Sequence, residues 1–230
     1  MNQDELKKKV GFEAATYVEN DMIVGLGSGT TIKYLVKALG DRVLKEQLKI
    51  TCVSTSQKTA ELANQLGIST TSIDNVKNVD LTIDGADEIS KNFYGIKGGG
   101  AALLWEKIVA ENSDQNMWIV DESKLVDQLG KFPLPVEVIP FGSSHVLKKF
   151  EDMGLKPKIR KNKASALIRT DSNNYIIDLH IGKIYDPQEL ALELNNTVGV
   201  VEHGLFLDVV NRVLVGTQTG VETMQRGIFA

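Results

Sequence analysis

Four short segments of this chain carry residue types that could do chemistry. Gly25-Leu26-Gly27-Ser28-Gly29-Thr30-Thr31 sets glycines and hydroxyls at the start of a helical pattern. Free backbone N–H groups and the helix dipole favour an anion there, and glycines let the backbone come close to it. Taken alone, the segment reads equally as a tight turn with an N-cap threonine or as a phosphate cradle. It lacks the Lys-Ser/Thr pair of a Walker loop and the third glycine of a dinucleotide fingerprint, so ATP and NAD are disfavoured. Asp84-Gly85-Ala86-Asp87-Glu88 places three acids in five residues. Such a cluster needs cations, sugar hydroxyls or solvent to be tolerated; a solvated loop and a Mg²⁺ site are its other readings. Lys97-Gly98-Gly99-Gly100 puts a lysine beside three glycines ahead of a helix, which suits an anion-tolerant loop or a linker.

The fourth segment is the helix after Gly100. At 100° per residue, Glu106 falls between Ala102 and Val109 on one side and Leu103 and Ala110 on the other. A carboxylate inside an apolar arc is desolvated, as a general base often is; a glutamate reaching water from the edge of the stripe is the alternative. Lys107 and Glu111, four apart, read as an exposed pair.

The elements that must hold these segments alternate in the first half of the chain. Strands are expected at Met22–Leu26, Ile50–Ser54, Val79–Ile83 and Met117–Val120. Helices are expected at Thr30–Glu46 and Gln57–Leu66, the latter closed by Gly67, and after Gly100. This is the pattern of a parallel sheet with crossover helices, whose carboxyl edge would carry the first two motifs. Two prolines near Lys131-Phe132-Pro133-Leu134-Pro135 mark a break. Beyond it come a strand at Val136–Ile139, a helix at Ser144–Met153, a hairpin turning at Asp171-Ser172-Asn173-Asn174, a helix at Pro187–Asn195 and a strand at Val198–Glu202. That β-α-β-β-α-β order is ferredoxin-like. Runs at Leu207–Val210 and Val213–Val215 read as a return to the first domain. The expected fold is therefore α/β: a Rossmann-like main domain over 1–131 and 205–230, and a smaller ferredoxin-like α+β domain over 132–204.

Composition narrows the function. A chain of 230 residues with 42% hydrophobic residues can bury a sizeable core. With 26 basic against 30 acidic residues, and no basic block longer than Lys7-Lys8-Lys9, neither nucleic acid nor an acidic membrane surface is an expected partner. No signal-peptide pattern or apolar run of about 20 residues is present, and the lone Cys52 offers no disulfide, so a cytoplasmic setting is expected. His145, His180 and His203 are scattered and give no zinc signature; they read as structural or surface residues. Trp105 and Trp118 read as core or interface.

Together the Gly25–Thr31, Asp84–Glu88 and Lys97–Ala101 segments, with Gly130 to Val138, resemble the type A ribose-5-phosphate isomerase family in motif, order and spacing, from Asp4 to the Gly216-Thr217 region. The resemblance implies an aldose–ketose isomerase of ribose 5-phosphate and ribulose 5-phosphate, acting through an enediolate with no metal or other cofactor. It puts the catalytic base on Glu106 and ring opening on Asp84. Lys97 and backbone N–H groups would offset the enediolate charge, and Asp87 would hold a hydroxyl or orient Lys97. Phosphate and sugar contacts would fall on Lys7, Ser28, Gly29, Thr30, Thr31, Asp84, Gly85, Ala86, Asp87, Lys97, Gly98, Gly99, Gly100 and Lys124. A homodimer or dimer of dimers is also implied. Two departures stand out: Ser28 and Thr30 exchange the family's usual hydroxyl types, and Trp105 stands where relatives commonly carry Arg. A sugar-phosphate sensor is the rival from another class, although only about twenty residues precede the first strand, too few for a helix-turn-helix. A coenzyme A transferase, with Glu106 as nucleophile, is the rival enzyme.

Overall fold

The computed structural model describes residues 2–227. The chain divides into two compact units. The larger comprises 1–86, 105–124 and 209–230, and the smaller 87–104 and 125–208. This division differs from the expected one: the chain leaves the larger unit within the acidic loop, re-enters just before Glu106, and returns for the last time at Val209.

The larger unit is built on a seven-stranded sheet. Its strands are β1 (Ile23–Leu26), β2 (Thr51–Ser54), β3 (Ser69–Thr71), β4 (Val79–Asp84), β7 (Ser113–Asp121), β14 (Arg212–Gly216) and β15 (Val221–Gln225). They lie in the order β15-β14-β7-β4-β1-β2-β3, parallel throughout except for the β14–β15 hairpin. β3 and β15, short or polar, were not foreseen.

Three helices show how the sequence covers this sheet. In α2 (Thr30–Glu46), Ile32, Leu35, Val36 and Leu39 are buried while Lys33 and Lys37 face water, an ordinary amphipathic period. In α1 (Gln3–Ala15), Asn2 and Glu5 close a capping box, and Gly11 brings the helix against α2, where a Cβ would lie 2.8 Å from that of Tyr34. Arg42 of α2 donates to the carbonyls of Ala15 and Val18, satisfying the end of α1. α3 (Gln57–Gln65) is capped by Ser56, and Gly67 follows it at φ 77.

In the smaller unit, β9 (Leu134–Val138), α5 (Ser143–Asp152), β10 (Pro157–Ile159), β11 (Tyr175–Leu179), α6 (Pro187–Asn195) and β12 (Val200–His203) follow in the expected order. Their antiparallel sheet runs β10-β11-β9-β12, the ferredoxin-like arrangement. Its core holds Val136, Phe150, Ile177 and Leu194. The turn at 170–174 closes with Thr170 and Asn174 paired through backbone. A third sheet, unforeseen, joins β13 (Leu205–Phe206), β6 (Gly95–Ile96), β5 (Glu88–Ser90) and β8 (Leu125–Val126). The strand expected at Leu207–Val210 does not form; the strand nearby is Leu205–Phe206, and it belongs to the smaller unit.

Candidate active site

In the larger unit the strand order reverses at β1, with β2 and β3 to one side and β4 and β7 to the other. In an open α/β sheet this is where ligands bind, outside the carboxyl ends of the strands. The Ser28–Thr31 turn leaves β1 there and Asp84 ends β4. Asp84 is only 2% exposed, and its Oδ1 accepts the N–H groups of Ser28 at 3.0 Å and Gly85 at 2.7 Å. That contact explains Gly27: a Cβ would stand 1.9 Å from Asp84 Oδ1 and 2.6 Å from Asp84 Cα. Ser28 Oγ shares a hydrogen bond with Thr55 Oγ1 at 2.8 Å. The N-cap of α2 is Gly29, at φ 104, with no side-chain cap, so the threonine-capped turn is not what forms. Thr30 is exposed, and the helix start faces outward.

Lys7 and Lys124 come to the same edge of the sheet. The first turn of α1 abuts the end of β14, where a Gly216 Cβ would meet the Leu6 carbonyl at 2.8 Å, and Gln3 donates to Asp121 Oδ2 at the end of β7. Asp121 Oδ1 also accepts the Ser123 N–H and hydroxyl, fixing the 3₁₀ turn Glu122–Lys124. β7 is two strands from β1, so Lys124 starts roughly 10 Å from the glycine turn. Among the described residues neither lysine makes a hydrogen bond or ion pair to that turn.

Glu106 lies in the first turn of α4 (Leu103–Glu111) and is 4% exposed, so the edge-of-stripe alternative does not hold. One turn on, Val109 packs at Gly25 in β1, where its Cγ1 would be 3.0 Å from an added Cβ. A helix following a parallel crossover runs back along the sheet, so Glu106 sits about 4.5 Å nearer the carboxyl edge than Val109. Lys107, expected at the surface, is only 9% exposed, while Glu111 is exposed; the pair read from spacing is not a surface pair. Trp118 is core; Trp105 is half-buried and lines a cavity of about 530 Å³ with Val53, Ile73, Ile108 and Val109.

The smaller unit carries Asp87 and the lysine–glycine loop. Lys97 is 3% exposed, with Nζ 5.3 Å over the ring of Phe206 and its N–H on the Gly204 carbonyl. Asp87 Oδ2 accepts the Gly99 N–H at 2.7 Å, and a Gly99 Cβ would meet Asp87 Oδ1 at 2.6 Å. Gly98 stands at φ 99 and the Ala101 N–H closes back on its carbonyl.

The three acids of Asp84–Glu88 therefore do not form one cluster. Asp84 turns into the β1–β4 edge, Asp87 to Gly99, and Glu88, 3% exposed, accepts the N–H groups of Gly130 and Phe132. No group of three His, Cys, Asp or Glu able to hold a metal occurs among the described residues. The structural roles of Glu88, read from the sequence only as part of the acidic run, and of Asp121, which stands beside Glu122, come from donors distant in the chain or in the following turn, and these donors alone reveal them.

Solved structures place this architecture. The chain superposes on a D-ribose-5-phosphate isomerase in complex with phospho-erythronic acid with TM-score 0.95 and 38% identity, covering 98% of this chain and 100% of that one. The isomerase of Methanocaldococcus jannaschii gives 0.92 and 41%, over 96% and 99%. Fold and site thus define an α/β sugar-phosphate isomerase. The family model of ribose 5-phosphate isomerase A (phosphoriboisomerase A) matches residues 51–220. The chain is 60% identical to the ribose-5-phosphate isomerase A of Bifidobacterium longum subsp. infantis over 96% of each chain. It is 59% identical to that of Levilactobacillus brevis over 97% of this chain and 98% of the relative. The chain belongs to the ribose 5-phosphate isomerase A family.

Proposed function

We propose that the chain interconverts ribose 5-phosphate and ribulose 5-phosphate with Glu106 moving the proton between C1 and C2. The observation that carries this is the burial of that carboxylate at the start of α4, one helical turn above the switch point of the sheet. A base excluded from water and held on a rigid helix is preorganised for proton transfer. Asp84, oriented by two backbone N–H groups, opens the sugar ring and passes hydroxyl protons. Lys97 and the N–H groups of Gly98 and Gly100 offset the enediolate charge, with Asp87, which accepts the Gly99 N–H, orienting that loop. The phosphate is held by Ser28, Gly29, Thr30 and Thr31, with Lys7 and Lys124; Gly85 and Ala86 complete the sugar contacts. Phospho-erythronic acid, bound by one relative, carries a carboxylate that resembles a planar enediolate, which supports the chemistry.

Glu106→Gln tests the reading, because glutamine keeps the shape but cannot take a carbon-bound proton. The variant should bind substrate and lose about 10²–10⁴-fold in kcat, with exchange of the C2 proton into deuterated solvent falling in parallel. A folded variant that turns over and exchanges normally makes Glu106 a structural carboxylate only.

A homodimer or dimer of dimers through the smaller unit is supported by Phe141, Tyr185, Leu192 and Val198, large apolar residues well exposed on it. Sedimentation of the native protein tests that, and a monomer at micromolar concentration rules it out. No helix among the described residues is long and apolar enough to cross a membrane.

A further inference from the structure

Arg160, at the end of β10 in the smaller unit, lies far in sequence from every motif that suggests function. Its Nη1 nevertheless donates to the carbonyls of Gly98 at 2.9 Å and Gly99 at 3.1 Å. The same guanidinium is fixed from behind by Asp178 on β11, through Nε–H to Oδ2 at 2.8 Å and a second bond from Nη2 to Oδ1. Both side chains are largely buried, at 12% and 18% exposure, so solvent screens this fork little. β10 and β11 are paired in register, Lys158 with Asp178, so the sheet itself aims the pair.

A run of three glycines has little intrinsic preference for one conformation. Here its backbone is held from two sides. Arg160 takes the two carbonyls and Asp87 takes the Gly99 N–H. With the carbonyls turned onto a cation, the turn keeps its oxygens away from any anion at its N–H face. An ammonium has donors enough for both carbonyls, but only the planar guanidinium, with Nε and Nη2 on Asp178, can take them from Nη1 in a fixed orientation.

We propose that Arg160, oriented by Asp178, is a positioning residue for the isomerisation: it sets the Gly98-Gly99 turn in the conformation that presents the N–H groups of Gly98 and Gly100, and Lys97 beside them, to the enediolate. This rests on the reading of Lys97–Gly100 as the loop that offsets enediolate charge. A displacement of about 1 Å in such a group can cost up to 10²-fold in rate, and because the charge develops only in the transition state, the loss falls on kcat.

The test compares Arg160→Ala, Arg160→Lys and Lys97→Met in the full chain, with kcat and KM for ribose 5-phosphate and circular dichroism for fold. Arg160→Ala should lose about 10–100-fold in kcat with KM changed by less than about threefold, and millimolar guanidinium, far below denaturing levels, should restore part of kcat. Arg160→Lys, which keeps the charge and protects the fold should the alanine variant collapse, should still lose about 3–10-fold in kcat. Wild-type kcat in either folded Arg160 variant overturns the proposal. So does a loss in which KM rises as much as kcat falls, or one that guanidinium leaves untouched in a folded Arg160→Ala protein. Lys97→Met separates the two levels: if it too keeps wild-type kcat, the loop reading fails; if it loses kcat while the Arg160 variants do not, only the role of Arg160 fails.

Discussion

Gly27→Ala would drive a methyl group into Asp84 at the end of β4. The added methyl would stand 1.9 Å from Asp84 Oδ1 and 2.1 Å from its Cγ, where real Cβ contacts essentially never fall below 3.0 Å. Rotating the Asp84 side chain does not clear the clash, because Asp84 Cα itself lies 2.6 Å away. The ends of β1 and β4 must therefore part by tenths of an ångström to an ångström, and the Ser28 N–H leaves Oδ1. Overpacking costs about 1–3 kcal/mol and a hydrogen bond to a charged group about 1.5–3 kcal/mol, so the loss of stability is about 2.5–6 kcal/mol. At about 2–4 °C per kcal/mol for a chain of this size, Tm should fall by roughly 5–24 °C. Because Asp84 is the group moved, kcat should fall by up to about 10²-fold at temperatures where the protein is still folded. Gly29→Ala is the control: nothing lies within 4 Å of its Cβ, but its φ is 104, so it costs about 1–3 kcal/mol of backbone strain without touching Asp84. Scanning calorimetry with a coupled isomerase assay reads both. A Gly27→Ala protein with Tm and kcat near wild type, or one whose Tm falls no further than that of Gly29→Ala, refutes the reasoning.

Burial pushes the Glu137 carboxyl up, against hydrogen bonds from Asn174 and Thr170 that pull it down, with Glu202 and Asp171 adding to the rise. A folded value above the unfolded one means that the native state holds this proton longer, so stability is lost as pH climbs from the ordinary glutamate range through the raised value. Glu137→Gln should accordingly raise Tm at pH 7.5 and have a smaller effect at pH 4; an effect independent of pH contradicts the sign. Buried Cys52, its thiol pushed up to about 12, should ignore thiol reagents at pH 8 in the native protein and react in denaturant; rapid native labelling would show that β2 opens. Arg42→Met should cost about 1.5–3 kcal/mol through the lost carbonyl bonds at the end of α1, whereas Glu46→Ala, removing only a half-exposed ion pair, should cost about 0–1 kcal/mol by urea unfolding. Exhaustive EDTA should leave activity intact, since Asp84, Asp87 and Glu88 each accept backbone N–H groups; loss restored by Mg²⁺ would make the acidic loop a metal site.

The elements that sequence made legible are those with a clear period. Thr30–Glu46 and Pro187–Asn195 match the expected bounds because the first has a clear amphipathic period and the second opens on an Asp186 cap followed by proline. β3, with Ser69-Thr70-Thr71, carries no apolar alternation and forms because β2 offers a free edge. The two-residue strands β8 and β13 exist only through partners distant in the chain, which no local pattern encodes, whereas β6 pairs with the neighbouring β5 over too few residues to show a period. Lys107 illustrates the limit of a helix wheel: spacing places it on a different face from the apolar arc, yet it is buried. Arg160 shows the same limit in the site, since its importance lies in two glycine carbonyls more than sixty residues upstream.

The interleaving of the two units has a consequence for synthesis. β7 ends at Asp121 and its neighbour β14 begins at Arg212, so roughly 90 residues must be translated before that side of the central sheet is covered, a wait of about 5–18 s at 5–20 residues per second. Residues 87–104 likewise leave the ribosome before the 125–208 segment that completes their unit. During that interval Met117-Trp118-Ile119-Val120 presents an apolar strand with one unpaired edge, the kind of segment that pairs with another nascent chain. Neither unit can finish folding before the other is well advanced, and the open flank of β7 is where a growing chain would need shielding.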